Sequence, residues 1–337
     1  MQKFLIIQTA FIGDVILSSS LIENIHQEFP NAKIDFLLRK GNEAIFENHP
    51  HIHDLLIWNK KESKYSSLFE IFKKIRRRNY DYVINLQRFA STGFLTAFSN
   101  SQNRIGFAKN PFSIFFTHKI DHEIGNQKHE IERNHELIVH LTQSSVIKPK
   151  LYPSIFDVDK VQNLINANNL EKDCHAPLAM TKYVCIAPTS VWFTKQLPKE
   201  QWIKLIQNID SNTNIYLLGS RNDFEKCEEI LKNSNRKNIQ NLAGKLKILE
   251  TAVLMKNAEM NFVNDSAPMH IASAMNANTT AFFCSTLPKF GFTPLSENSE
   301  IVEIESNLEC RPCGLHGKNF CKENHFKCGY DIDVTKI

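Results

Sequence analysis

Short, continuous apolar segments that alternate with helical segments are the feature that most constrains the fold of this chain. KFLIIQ, KIDFLL, DLLIW and DYVINLQ are typical of strands, and helical segments such as DVILSSSLIENIHQEF separate them. Strands that lack polar–apolar alternation are typical of parallel sheets covered on both faces. The pattern therefore predicts an α/β fold, with helices packed on both sides of a parallel sheet.

The same alternation starts again in the second half of the chain. YVCIAP, NIYLLGS, MNFVND and TTAFFCS are predicted strands, and an irregular polar stretch at residues 166–182 precedes them. We therefore predict two Rossmann-like, doubly wound domains, 1–170 and 171–337, that face each other across a cleft. In such folds, ligands bind beyond the carboxyl ends of the strands.

The charge balance favours a small anionic ligand over nucleic acid. Residues 1–165 carry 21 Lys and Arg against 17 Asp and Glu, whereas residues 166–337 carry 19 of each. A basic excess this small suits an anionic small molecule or a lipid head group, and we predict no nucleic-acid partner. No apolar run reaches the ~18 residues of a membrane span, and no cationic leader precedes the first strand. We therefore expect a cytoplasmic protein.

Two polar turns after predicted strands contain candidate catalytic and binding residues. Asp14 follows Gly13 at the start of the first helix, where it could be a general base or an ordinary helix cap. Thr194 and Lys195 precede a helix that Pro198 opens, and a hydroxyl with a lysine at that place suits a phosphate. The alternative for Lys195 is a solvated loop. Neither turn has the glycines of a Walker A or dinucleotide motif.

The segment VNDSAPMHIASAM is the most specific of these turns. Asp265 and Ser266 stand together where a helix begins, although a simple cap needs only one of them. The amides of Ser266 and Ala267 are thus predicted to hold a diphosphate at the positive end of the helix. His270, one turn further, is either a ligand contact or a core histidine. Asp223 in LLGSRND enters a predicted helix, where a cap is the ordinary interpretation.

Taken together, these motifs resemble the family 9 glycosyltransferases, the ADP-heptose:lipopolysaccharide heptosyltransferases. The resemblance rests on FIGDVILSSSLIE, NLQ with RIGF, PTSVWFTKQLPKEQW, LLGSRND, NLAGK and NDSAPMH, in this order and spacing. It covers about residues 3–330, and NDSAPMH is close to the form found in heptosyltransferase II-type members. It implies a GT-B fold that binds the acceptor in the first domain and the nucleotide sugar in the second.

The resemblance also implies roles for individual residues. Asp14 would deprotonate the acceptor hydroxyl in an inverting transfer. The donor diphosphate would contact Thr194, Lys195, Ser266 and Ala267, and the donor sugar or nucleoside would contact Asp223, Asp265 and His270. No paired carboxylates suit a metal–diphosphate bridge, so we expect transfer without a metal cofactor, from ADP-heptose to the lipopolysaccharide core.

The basic first half suits such an acceptor, because lipid A and inner-core sugars are polyanions. Arg39, Lys40, Arg88 and Arg104 lie after predicted strands or in adjoining loops and are predicted to bind it. The run KKIRRR at residues 73–78 ends a helix, where cations suit the helix dipole. This run is either a solvated face or a contact with the anionic inner face of the plasma membrane.

Four cysteines form a C-x₂-C-x₇-C-x₆-C pattern near the end of the chain, within the segment 310–328. Cys310, Cys313, Cys321 and Cys328 could hold structural zinc or an iron–sulfur cluster, stay reduced, or form a disulfide, which a cytoplasmic location disfavours. The resemblance also implies a closing helix in GT-B chains, and from the residues that lead to DIDVTKI we expect no such helix.

Two alternatives to heptosyl transfer stay open at this point. The first is a related GT-B enzyme with another nucleotide sugar or another polysaccharide acceptor. The second is a non-catalytic nucleotide-sugar or nucleic-acid binding protein with a structural zinc site. The presence of both Asp14 and Lys195 favours an enzyme.

Overall fold

The computed structural model describes residues 1–62, 64–169 and 182–337. The chain forms two compact units, Met1–Tyr152 and Pro153–Ile337. The boundary predicted at 170/171 lies outside the described residues.

The first unit is built on a six-stranded parallel sheet. Its strands are β1 (Lys3–Ile7), β2 (Lys33–Arg39), β3 (Ile52–Trp58), β4 (Tyr82–Asn85), β5 (Asn103–Phe107) and β6 (His118–Ile120), in the order β3-β2-β1-β4-β5-β6. The helices are α1 (Ile12–Glu28), α2 (Lys64–Arg78), α3 (Ala90–Ala97) and α4 (Glu130–His135). Single 3₁₀ turns cover Glu43–Ile45 and Ser113–Phe115.

Burial on both faces explains the apolar runs of the central strands. Phe4, Leu5, Ile6 and Ile7 of β1 are all fully buried, as the absence of polar alternation predicts. Between β2 and β3 the chain forms the 3₁₀ turn Glu43–Ile45, which three residues separate from the end of β2.

The second unit repeats this arrangement. Its strands are β7 (Tyr183–Ala187), β8 (Asn214–Leu217), β9 (Ile239–Asn241), β10 (Met260–Asn264), β11 (Thr279–Phe283) and β12 (Ser299–Glu303), all parallel, in the order β12-β11-β10-β7-β8-β9. The helices are α5 (Ile155–Asn169), α6 (Lys199–Asn208), α7 (Phe224–Asn233), α8 (Ile248–Lys256), α9 (Ala267–Ala274) and α10 (Lys327–Tyr330). Both sheets place their first strand centrally, beside the fourth, so the predicted pair of doubly wound domains is confirmed.

Helix α5 belongs to the second unit, although the predicted boundary assigned it to the first. It packs against α8, and Lys160 Nζ lies 2.9 Å from both carboxylate oxygens of the buried Glu250. Sequence patterns could not show this, because the partner helix lies about 90 residues further along the chain.

The core of the second unit includes part of the cysteine-rich segment. Trp202 of α6 is fully buried and contacts Phe282 edge-on, with ring centroids 5.1 Å apart. Phe326 and Cys328 are buried in the same core, so residues beyond β12 are an integral part of this unit. In the described ranges, no helix is both long enough and apolar enough to cross a bilayer.

Candidate active site

An ion pair joins two loops at the carboxyl edge of the second sheet. Lys195 follows β7 and Asp265 follows β10, and these two strands are neighbours. Lys195 Nζ lies 2.7 Å from Asp265 Oδ2, with the side chains only 15% and 7% exposed. Thr286, after β11, donates its hydroxyl to the same oxygen at 2.6 Å. Three adjacent strand ends therefore position one half-buried cation.

Helix α9 begins beside this pair without a side-chain cap. The Asp265 carboxylate binds Lys195 and Thr286, and the Ser266 hydroxyl donates to the Asn264 carbonyl at 3.3 Å. In the part of the chain that the structure describes, the N–H groups of Ser266 and Ala267 have no hydrogen-bond acceptor. Two donors at the positive end of a helix therefore stand next to an ammonium group, an arrangement suited to a phosphate.

Thr194 is anchored in the protein. Its side chain is fully buried, and its hydroxyl oxygen accepts hydrogen bonds from the Ser285 hydroxyl at 2.9 Å and the Lys318 N–H at 2.8 Å. A fully buried hydroxyl cannot touch a ligand in this conformation, so the predicted contact of Thr194 with the diphosphate needs correction. The residue holds the loop that carries Lys195.

In the structure, Asp223 is a cap and His270 is a core histidine. Asp223 Oδ2 accepts hydrogen bonds from the Ser220 N–H at 2.8 Å and the Ser220 hydroxyl at 2.6 Å, which caps the turn before α7. Gly219 is needed there, because a Cβ on it would lie 2.8 Å from Asp223 Cβ. His270 is 5% exposed inside α9.

Asp14 lies in the first turn of α1, just beyond the carboxyl end of β1. The side chain is half-buried, and its Oδ2 accepts the Phe11 N–H at 3.3 Å. The carboxylate therefore contributes to the start of the helix, as the capping alternative proposed. A carboxylate fixed at the carboxyl edge of the sheet remains well placed for a substrate, because ligands of such folds bind at this edge.

The sequence analysis missed a buried polar network at the carboxyl edge of the first sheet. Thr9 donates its hydroxyl to Gln87 Oε1 at 2.6 Å, and Gln87 Nε2 donates to Gln8 Oε1 at 2.9 Å. Lys60 Nζ donates to the Thr9 hydroxyl at 2.7 Å. The available signal was a set of polar residues directly after β1, β3 and β4, whose carboxyl ends are near each other in the sheet.

A protein-family comparison identifies the family to which this chain belongs. The family model described as "Glycosyltransferase family 9 (heptosyltransferase)" matches residues 68–322, about three quarters of the chain. The chain belongs to this family. The resemblance inferred from the motifs is thus confirmed. As a family 9 glycosyltransferase, the protein is an enzyme.

Individual relatives agree with this assignment. The lipopolysaccharide heptosyltransferase 1 of Campylobacter coli is 27% identical over 302 residues, which cover 85% of this chain and 84% of the relative. Among solved structures, a family 9 glycosyltransferase from Veillonella parvula superposes with a TM-score of 0.78 at 18% identity, covering 89% and 85% of the two chains. The E. coli ADP-heptose LPS heptosyltransferase II gives 0.75 at 19% identity, covering 91% and 92%. The predicted GT-B fold is confirmed.

The cysteine-rich segment of this family 9 enzyme packs directly on the Lys195 loop. The N–H of Thr194 donates to the Lys318 carbonyl at 3.0 Å, and the N–H of Cys313 donates to the Ser285 carbonyl at 2.9 Å. Gly317 has a φ of +77°, and a Cβ on it would lie 2.9 Å from Lys195 Cγ. The segment therefore packs against one side of the Lys195 side chain.

The four clustered cysteines line a single cavity of about 120 Å³. Cys310, Cys313, Cys321 and Cys328 border it, and His325 Nε2 lies 3.9 Å from Cys310 Sγ. Burial raises the pKa of Cys328 to about 12, and the neighbouring thiols add to the effect. Within the described ranges, no three His, Cys, Asp or Glu side chains already stand in metal-binding positions.

The basic residues predicted to bind the acceptor occupy different parts of the first unit. Arg39 ends β2 with its guanidinium 5.0 Å from the Phe11 ring, Lys40 pairs with Glu62 at 3.5 Å, and Arg88 is exposed after β4. The position of Arg104 does not agree with its predicted role in acceptor binding. It lies near the amino end of β5, and its guanidinium donates to the carbonyls of Ser101 and Phe115, so it stabilises a loop at the opposite edge of the sheet.

Proposed function

We propose that this enzyme transfers heptose from ADP-heptose to a hydroxyl group of the lipopolysaccharide inner core, with inversion at the anomeric carbon. The names of the relatives support both substrates. The donor site rests on the N–H groups of Ser266 and Ala267, which find no hydrogen-bond acceptor among the described residues and lie beside the Lys195 ammonium. Together they offer one full positive charge, two N–H donors and a helix end to a diphosphate.

Asp14 acts as the general base in this proposal. Its carboxylate takes the proton of the acceptor hydroxyl while that oxygen attacks the anomeric carbon. The bond between this carbon and the diphosphate oxygen breaks, and ADP leaves with the bonding electrons. A single displacement inverts the configuration, and one positioned carboxylate contributes typically about 10²–10⁴-fold to the rate.

The second unit stabilises the leaving group. Negative charge grows on the diphosphate as the glycosidic bond breaks, and Lys195 with the N-terminus of α9 meets that charge at fixed positions. Transfer in this proposal needs no metal cofactor, because these groups do the electrostatic work. Thr194 serves as a positioning residue, and Asp265 contacts the donor sugar once the diphosphate has taken its place on Lys195. Asp223 and His270 shape the nucleoside side of the site.

The acceptor side uses the basic residues at the carboxyl edge of the first sheet. Arg39, Lys40 and Arg88 bind phosphates of the core and lipid A, whereas Arg104 acts only through the loop that it holds. An acceptor embedded in a bilayer requires the enzyme to work on the cytoplasmic face of the inner membrane, as a peripheral protein without a nucleic-acid partner.

Calorimetric titration with ADP, GDP, UDP and CDP tests this proposal. We expect ADP to bind at least 10-fold more tightly than the other three, because the relatives point to an adenine nucleotide. A preference for UDP or GDP would keep the mechanism but change the donor. If none of the four nucleotides binds, the proposed transferase function is wrong and a non-catalytic role replaces it.

Zinc bound by the four clustered cysteines is the second element of the proposal. Four thiolates are a normal donor set for structural zinc, and all four thiols already border one cavity. Zinc would draw Cys310, Cys313, Cys321 and Cys328 together and release their protons. The metal would fix the wall behind Lys195 and take no part in the transfer.

Metal analysis of the protein purified in the presence of zinc tests this element. We expect one equivalent of zinc in the wild type and a loss of most of it in Cys310→Ser/Cys313→Ser. Chelation should lower Tm by about 5 °C or more, with a smaller effect on ADP affinity. Cys185→Ala/Cys227→Ala is the control, since both thiols lie in the core. A zinc-free wild type with four reduced thiols would contradict the metal site.

A further inference from the structure

Six phenylalanine rings form a continuous ridge on the first unit. Successive ring centroids lie 5.1–6.4 Å apart across α2, α3 and the 3₁₀ turn Ser113–Phe115. Three of the rings are substantially exposed: Phe69 by 53%, Phe98 by 39% and Phe115 by 48%. Ile114, beside them, is 79% exposed. We call this surface the phenylalanine ridge; its rings are Phe69, Phe72, Phe94, Phe98, Phe112 and Phe115.

Cations lie directly on the ridge. Lys73 Nζ is 4.6 Å from the centre of the Phe69 ring, and Arg76 Cζ is 5.6 Å from that of Phe72. Lys74 and Arg77 on the same helix are exposed as well. Within the described residues, Arg78 is the cation of the run at residues 73–78 that is neutralised, by ion pairs with two aspartates. The ridge therefore has an apolar crest and a cationic flank.

Acidic residues are almost absent from the segments that form the ridge. Residues 64–78 contain six Lys and Arg and one acidic residue, Glu70, and residues 88–119 contain four Lys and Arg, seven Phe and no acidic residue. A soluble surface normally mixes both signs of charge and avoids contiguous exposed aromatic groups. The phenylalanine ridge combines an almost entirely cationic charge with contiguous exposed aromatic rings.

We infer that the phenylalanine ridge docks on the surface of an anionic lipid bilayer. The exposed rings insert at the boundary between head groups and acyl chains, and Lys73, Arg76 and Arg77 contact anionic head groups. The inference extends the proposed function, since a lipid-linked acceptor lies in such a surface. It also assigns a role to the run at residues 73–78, for which a solvated face was the other interpretation.

The charge pattern favours lipid over a protein partner. A protein interface usually depletes lysine at its centre and pairs its charges individually. Here several cations that form no ion pair with another described residue surround an apolar crest. A bilayer surface needs no particular arrangement of anions. Each cation near the bilayer surface gains a similar electrostatic free energy. Rings of unequal exposure can insert to different depths at the boundary of the acyl chains.

Flotation with lipid vesicles tests this inference. The full-length protein should bind vesicles of phosphatidylethanolamine and phosphatidylglycerol, bind phosphatidylcholine vesicles at least 10-fold more weakly, and dissociate as salt rises. Lys73→Gln/Arg76→Gln/Arg77→Gln should weaken binding by roughly 100-fold. Phe69→Ser/Ile114→Ser/Phe115→Ser should weaken it roughly 10-fold or more, because the inserted apolar surface is lost.

Matched control variants come from the second unit. Ile155 and Phe156 are 65% and 80% exposed, so Ile155→Ser/Phe156→Ser removes similar apolar surface elsewhere. Lys204→Gln/Lys237→Gln/Lys256→Gln removes three exposed lysines outside the ridge. Both controls should bind vesicles like the wild type. Ridge variants that bind as well as the wild type, or controls that lose as much, would overturn the inference.

ADP titration of the same preparations separates this inference from the proposed function. A wild type that binds ADP but not anionic vesicles overturns the docking surface alone. A wild type that binds vesicles but none of the four nucleotides overturns the transferase proposal alone. Equal binding to phosphatidylcholine, or self-association through the ridge without vesicle binding, also overturns the inference. Circular dichroism of each variant establishes that it is folded.

Discussion

Asp14→Asn is expected to reduce heptosyl transfer by about 10²–10⁴-fold while ADP binds with unchanged affinity. The substituted amide has nearly the shape of the carboxylate, but it cannot take a proton from the acceptor hydroxyl. Its carbonyl oxygen can still accept the Phe11 N–H, so the start of α1 is preserved. Single-turnover transfer, measured beside calorimetric ADP binding, gives both quantities.

A matched control for Asp14→Asn is available in α5. Asp157 accepts the Ser154 N–H at 2.7 Å, three residues before it, as Asp14 does with Phe11. Asp157→Asn thus makes the same chemical change at the same position of a helix, and its transfer rate should match the wild type. If Asp14→Asn turned over normally, or lost only as much as Asp157→Asn, Asp14 would be a cap and not the base.

Lys195→Ala is expected to raise the Kd for ADP by roughly 10–150-fold. A hydrogen bond to a charged group contributes about 1.5–3 kcal/mol, and the substitution removes the cation that meets the diphosphate. It also leaves the Asp265 carboxylate without its ammonium partner, which repels an incoming phosphate. Isothermal titration with ADP measures the change.

The double variant Lys195→Ala/Asp265→Asn separates these two causes. It removes the repelling carboxylate as well, so its Kd for ADP should lie between those of the wild type and Lys195→Ala. Lys199→Ala is the control, because this exposed lysine pairs with Glu229 on the surface. Unchanged ADP affinity in Lys195→Ala would mean that the lysine serves only its ion pair with Asp265.

The sequence was sufficient to predict four of the six strands of each sheet, because buried parallel strands leave continuous apolar runs. It did not predict β5, β6, β9 and β12; the edge strands β6, β9 and β12 are short or exposed and lack such runs. It could not place α5, whose assignment depends on a contact with α8 that no local pattern records. The same limit explains the domain boundary, since polar composition marks an irregular segment but says nothing about which unit a preceding helix packs against.

The candidate site was predictable at the level of strand ends and less so at the level of atoms. Asp14, Lys195, Asp265 and Ser266 all lie at carboxyl edges, as the topology requires. Motif spacing could not reveal that Asp265 pairs with Lys195, or that Thr194 is buried beneath Lys318. Arg104 was misplaced because no strand was predicted around it, whereas β5 begins at Asn103 and puts Arg104 near its amino end.

The Lys195–Asp265 pair also affects which anions can bind at Lys195. Any anion that approaches this lysine competes with a carboxylate already held at 2.7 Å, so binding is an ion exchange and not a simple attraction. A singly charged anion replaces like with like and gains little. In the proposed donor site a diphosphate would carry several charges and also reach the amides of α9, so such a ligand would gain from the exchange. The pair would thereby keep chloride and other monovalent anions of the surrounding solution out of the site.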